Sequence, residues 1–195
     1  MEIQLPEIVN VKLEDVLLKR RSVREYLGAP LTIRELSHIL FAAYGITNEK
    51  GFKTVPSAGA TYPLNIYVNV KDVEGIPEGI YKYIPERHSI LRVSERELSY
   101  ELAVAALRQM FIATAPIVLI IAAKFERTTS VYGERGYRYV HMEVGHVAQN
   151  VYLMATSLGL GTVSIGAFID SEVEEILKGI VDGHVLLLMP VGRKP

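Results

Sequence analysis

The 195-residue chain is 49% hydrophobic and 22% charged. That composition excludes disordered, collagen-like and low-complexity proteins, and a chain of this length hides roughly 70% of its unfolded surface on folding. Its 21 basic residues are balanced by 22 acidic ones and cysteine is absent, so there is no global field for nucleic acid or an anionic membrane, and disulfides, thiolate nucleophiles and Cys-ligated metals are excluded.

The longest apolar stretch, Pro116 to Ala123, is far shorter than the roughly 20 residues a membrane span needs. The opening MEIQLPEIVN has no basic segment leading into an apolar run, so the chain reads as cytoplasmic, without a membrane or nucleic-acid partner. Helical and strand periods interleave without a linker, charge block or repeat, which predicts one domain over residues 1–195. The first helix is expected over Leu13 to Arg21 and a second from Thr32, where Thr32-x-x-Glu35 has the form of a capping box and Gly45 supplies a stop. Alternation at Ile66, Val68 and Val70 predicts a half-buried strand, and Gly79 to Ile84 with Ser89 to Val93 a hairpin through Pro85 to His88. A helix from about Glu97 to Phe111 precedes Ile117 to Ala123, a β-branched run suited to a strand buried on both faces. Val140, Val144, Val147, Val151, Ala155 and Leu158 give a long helix with a broad apolar face. Gly159 and Gly161 read as its stops, followed by a short strand over Thr162 to Ile165, a helix over Asp170 to Lys178 and a strand over Val185 to Val191. The pattern predicts an α+β fold with a mixed, mainly antiparallel sheet flanked by helices.

Four clusters could carry chemistry. Lys19-Arg20-Arg21-Ser22-Val23-Arg24 places four cations and a hydroxyl at a helix end, either a solvated charge face or a phosphate clamp in which Arg20, Ser22 and Arg24 share one side of an extended chain. Pro56-Ser57-Ala58-Gly59-Ala60-Thr61-Tyr62-Pro63 is a loop of small residues, either an ordinary tight turn or a surface that lets a flat group approach its backbone. Ser164-Ile165-Gly166-Ala167 is a second such stretch. His141-x-Glu143-x-x-His146 has metal-ligand residue types, but positions five apart on a helix lie roughly 140° from each other, which argues against one ion between the histidines. Neither GxGxxG nor GxxxxGK[ST] occurs, and there is no G-x-S-x-G elbow.

In order along residues 17 to 193, RRSVREY, PSAGATYPLNIYV, GIYKYIPERHSILRV, HMEVGHVAQNVYLMATSLGLG, VSIGAF and LLMPVGRKP resemble the nitroreductase-like FMN-dependent oxidoreductases, and within them the SagB-type dehydrogenase branch. The resemblance implies an obligate homodimer with FMN at its interface. It implies hydride transfer from NAD(P)H through the flavin to a small organic acceptor such as a quinone or nitro compound, the alternative being a non-catalytic flavin-storage protein. It assigns Arg20, Arg21, Ser22 and Arg24 to the phosphate, the ribityl chain and a cation near the flavin N1 edge, where negative charge builds as hydride enters at N5. Pro56, Ser57, Ala58 and Gly59 would face the flavin held mainly by the other protomer, and Ser164, Ile165, Gly166 and Ala167 would flank the ring. The sequence departs from the family at Ala60 and Tyr62, where asparagine and glutamine are common. Beyond P-V-G it offers only Arg193 and Lys194 for phosphate. The Lys-Tyr pair of azoline oxidation has its only literal match in the hairpin, at Lys82-Tyr83, so Arg138-Tyr139 makes Tyr139 the catalytic candidate. No metal is implied.

Overall fold

A computed structural model describes residues 1–6 and 12–195. Seven strands form one sheet: β1 (Glu2–Gln4), β2 (Leu64–Val70), β3 (Gly79–Ile84), β4 (Ser89–Ser94), β5 (Ile117–Ala123), β6 (Leu160–Thr162) and β7 (His184–Arg193). Their order is β1-β4-β3-β2-β5-β7-β6. Among the described residues every ladder is antiparallel, and parallel pairing is confined to isolated bridges such as Ser22 with Thr162.

The centre of the sheet explains the uninterrupted apolar run. On β5, Ile117, Leu119 and Ile121 enter one core and Val118, Ile120 and Ala122 the other. A strand so placed needs apolar side chains at both pleats, because neither face meets water. Helices α2 (Ile33–Tyr44) and α5 (Arg135–Ser157) cover the first face. Helices α3 (Ser99–Ala105) and α6 (Asp170–Ile176) cover the second. The remaining helices are α1 (Leu13–Lys19) and α4 (Glu126–Tyr132).

Thr32 and Glu35 form the expected capping box, with the Glu35 amide donating to Thr32 Oγ1 at 3.2 Å and the Thr32 amide to Glu35 Oε2 at 2.8 Å. The hairpin also forms as expected, turning through Pro85–Arg87 with His88 in the left-handed region at φ 43°.

Other elements depart from the sequence reading. The helix expected from Glu97 to Phe111 ends at Ala105, because the Ala105 carbonyl accepts from the Ile169 amide at 2.9 Å and Leu107 and Arg108 take φ of 57° and 59°. Leu107 and Met110 are therefore exposed and share no helix face with the buried Ala103 and Ala106. The short strand is Leu160–Thr162, and Ile165 instead pairs singly with Leu188. This releases the amide of Ser164 from the ladder. Gly159, at φ 73°, is the stop of α5, whereas Gly161 lies within β6.

Candidate active site

Tyr152, on the C-terminal half of α5, gathers two of the sequence clusters around one hydroxyl. Its Oη lies 3.0 Å from Ser22 Oγ and accepts from the Ser164 amide at 2.9 Å, while the Arg20 guanidinium sits 5.2 Å from its ring centre. Burial alone would push this phenol up, but the hydrogen bonds from Ser22 and Ser164 and the Arg20 charge outweigh it and hold it below its ordinary value. Sequence reasoning missed Tyr152. Its hydrogen-bond partners Ser22 and Ser164 lie outside the helix, Ser22 far away in the chain.

Backbone pairing holds the basic segment in place. The Val23 amide donates to the Thr162 carbonyl at 3.0 Å. A Cβ on Gly161 would stand 2.6 Å from Val23 Cγ1, so glycine is what lets the segment lie against β6. Arg21 turns back, its Nη1 donating to the carbonyls of Arg20 at 2.7 Å and Leu18 at 3.3 Å, and so caps the end of α1. Ser22 and Arg24 are exposed, and Arg24 has no ion pair among the described residues. Ile165 is buried and paired, whereas Gly166 and Ala167 are exposed, with open space where a Gly166 side chain would go. Exposed cations beside a bare backbone ledge fit a flat group carrying a phosphate.

Arg193 is not free to join them. Its guanidinium pairs with both Glu35 oxygens at 3.0 and 3.1 Å and donates from Nε to the Pro30 carbonyl at 3.2 Å. The residue expected to bind a cofactor instead ties β7 to the cap of α2.

The Pro56–Gly59 loop sits elsewhere. Gly59 has φ 58° and a Cβ there would stand 2.6 Å from the Tyr132 hydroxyl. Ala60 and Tyr62 also take φ of 53° and 46°, a conformation costing roughly 1–2 kcal/mol for an L residue. Helix α4, absent from the sequence reading, holds this loop: Thr128 Oγ1 meets Thr61 Oγ1 at 2.8 Å and Arg127 donates to the Tyr62 carbonyl at 3.2 Å. Tyr139 packs edge-on against Tyr132 at 5.1 Å, on the same side as this loop.

Ser57 accepts from the Tyr62 amide at 3.0 Å and donates to Glu143, which also accepts from the Tyr44 hydroxyl at 2.6 Å. Glu143 is buried, and burial raises its carboxyl above the ordinary value despite these bonds. This engagement gives Glu143 structural surroundings, His141 packs on Phe125 at 5.7 Å, and His146 is exposed. Among the described residues no three His, Asp or Glu side chains form a group that could hold a metal ion.

Glu143 and Tyr152 are nine residues apart on one helix. At about 100° and 1.5 Å per residue they lie on opposite faces, about 13 Å apart along the axis. One chain therefore holds the Pro56–Gly59 loop and the Arg20–Ser22–Ser164 cluster on opposite sides of α5.

Residues 17–193 match the nitroreductase family. The chain belongs to that family. A candidate nitroreductase of Methanocaldococcus jannaschii is 76% identical over 194 residues, covering all of this chain and 97% of that protein. The trifolitoxin-processing protein TfxB of Rhizobium leguminosarum is 32% identical over 67% of this chain and 36% of its own length. A candidate nitroreductase from Ralstonia eutropha superposes with a TM-score of 0.86 at 26% identity, covering all of this chain and 90% of that one. Another, from Anabaena variabilis, superposes at 0.83 with 32% identity, covering 94% of this chain and 38% of the longer Anabaena chain. The nitroreductase-type α+β fold is thus shared with solved members. Among the described residues no helix is long and apolar enough to cross a membrane.

Proposed function

We propose that this member of the nitroreductase family is an FMN-dependent oxidoreductase that takes hydride from NAD(P)H and passes it through the flavin to a small organic acceptor. The convergence of Arg20, Ser22 and the Ser164 amide on Tyr152 carries the reading. FMN supplies reversible hydride exchange at its ring when bound. Arg20, Ser22 and Arg24 hold its phosphate and ribityl chain, with guanidinium forks matching phosphate oxygens. The exposed backbone at Gly166 and Ala167, next to Ser164, lies against the ring. Tyr152 keeps the clamp and this ledge in register. Arg193 supports the site from behind through Glu35 and makes no phosphate contact.

The opposed placement of the Pro56–Gly59 loop supports a homodimer, in which each flavin is held by the clamp of one protomer and covered by the loop and Tyr139 of its partner. Likeness to TfxB, and to the microcin B17-processing protein McbC of Escherichia coli at 25% identity over 75% of this chain, supports the SagB-type branch. In this reading residues 1–195 act as one domain in the cytoplasm. The test is anaerobic titration of the purified protein with NADH and with NADPH. Stoichiometric bleaching of bound flavin, followed by its return on adding a quinone, is the expected result. Protein that takes up no FMN overturns the reading, and a flavin left oxidised by both nucleotides makes it a storage protein.

A further inference from the structure

Where β2 and β3 part, the sheet opens into a cleft that the flavin reading does not use. Their ladder runs from Val70–Gly79 to Tyr67–Lys82 and stops. Beyond it Leu64–Ile66 pair with β5 alone and Tyr83–Ile84 with β4 alone. The wedge holds a cavity of about 230 Å³ lined by Lys53, Lys82 and Arg127, with Glu86 as its one carboxylate. Leu64, Ile66 and Ile84 supply apolar wall, and Tyr44 and Tyr83 supply aromatic wall.

The three cations come from separate elements, and carboxylates reach them only at longer range, Glu86 and Glu143 acting on Lys53 and Asp182 on Lys82 and Arg127. Lys53 Nζ rests 3.8 Å from the centre of the Tyr44 ring and 5.0 Å from that of Tyr62. Lys82 Nζ lies 5.8 Å from the Tyr67 ring centre, and Arg127 donates to the Tyr62 carbonyl. Among the described residues none of the three is in an ion pair. With no carboxylate of the described residues within ion-pair distance of any of the three, their ammonium and guanidinium groups keep donors that face the cleft, and an entering oxyanion can accept from them. Leu64, Ile66 and Ile84 give the lining a smaller apolar share, against which the body of an organic anion can rest.

We infer that this cleft is a binding site for a small organic acid, its carboxylate held by Lys53, Lys82 and Arg127 and its body against Leu64, Ile66 and Ile84. Burial pushes the Lys53 ammonium down to about 8, with the Glu86 and Glu143 charges opposing the shift. The site lies behind the Pro56–Gly59 loop: Tyr44 joins the cation of Lys53 to Glu143, and Glu143 holds Ser57. Occupancy of the cleft and the position of the loop therefore share one chain of contacts.

Benzoate is the probe, titrated calorimetrically into the purified protein at saturating FMN, with inorganic phosphate as the second arm. Saturable benzoate binding, weakened about tenfold by Lys53→Met and by Lys82→Met, is expected from loss of a charge-assisted hydrogen bond. In a second measurement on the unaltered chain, acetic anhydride near pH 8 acetylates Lys53 ahead of the exposed Lys50, and benzoate protects Lys53 and Lys82 but not Lys50. Benzoate binding that the substitutions leave unchanged, or acetylation of Lys53 that benzoate does not slow, overturns the inference. Protection by phosphate without protection by benzoate overturns the organic-acid assignment. None of these outcomes bears on whether NAD(P)H reduces the flavin, so this inference and the flavin reading fail separately.

Discussion

Tyr152 shows how much a single hydroxyl organises. With Ser22 on one side and the Ser164 amide on the other, its hydroxyl joins both halves of the proposed flavin site. Tyr152→Phe keeps the ring and its stacking with Arg20 but leaves the Ser164 amide unpaired. Two net hydrogen bonds at a half-buried position predict a loss of about 1–2 kcal/mol, read from urea unfolding. The loss should persist at saturating FMN, and FMN affinity should also fall because Ser22 is no longer oriented. Unfolding curves that coincide for the two proteins would show that Tyr152 only fills space. Arg193 is the opposite case. Its side chain has the right chemistry for phosphate, and its position decides otherwise, because Glu35 presents both carboxylate oxygens to the same guanidinium.

At the scale of elements, two glycines separate structural support from site chemistry. Gly161 admits Val23 against β6, and Gly166 faces open space. Gly161→Ala should cost about 1–3 kcal/mol as overpacking, since the nearest atoms are Val23 Cγ1 and Cβ and the latter cannot swing away. It should also lower flavin occupancy, because the Arg20–Arg24 segment is displaced with Val23. Gly166→Ala should leave the stability of the flavin-free protein within about 0.5 kcal/mol and weaken FMN binding by blocking approach to the ledge. Thermal melts of both variants, with and without FMN, check the pair. Equal behaviour of the two would mean that the ledge does not meet the flavin. The loop at Gly59–Tyr62 makes the related point that α4 stabilises a left-handed backbone at non-glycine residues, through Thr128 and Arg127.

For the whole molecule, the broad apolar face of α5 is not the dimer surface. Val147 and Val151 are fully buried within the protomer, so a charge at either would unfold the chain rather than separate two chains. The surface left apolar is elsewhere: Leu18 on α1 is 75% exposed and Met142 on the outer face of α5 is 53% exposed. Beside Met142 on that face Gly145 also opens onto empty space, which lets a second helix come close. Met142→Glu is therefore expected to yield a folded monomer of about half the parent mass by light scattering, with bound flavin lost along with the partner. A Met142→Glu protein that stays dimeric places the interface on another surface. A parent monomer that binds FMN in stoichiometric amount refutes the shared site.

Local pattern was enough for much of this protein. The capping box at Thr32, the hairpin through Pro85, the doubly buried β5 and the long α5 each follow from short-range rules of spacing, because each element's period must match the face it buries. The small-residue loops and the basic run were legible for the same reason, since bare backbone and clustered guanidinium groups are properties of adjacent residues. What the tertiary structure decided is which of these meet. Helix α3 stops at Ala105 because the Ile169 amide takes its carbonyl, and Ser164 leaves its strand for Tyr152. Arg193 turns from phosphate to Glu35, and three cations from separate elements line one cleft. Each depends on partners distant in the chain, and a hydrogen bond or ion pair between them exists only once the sheet has brought its strands into order.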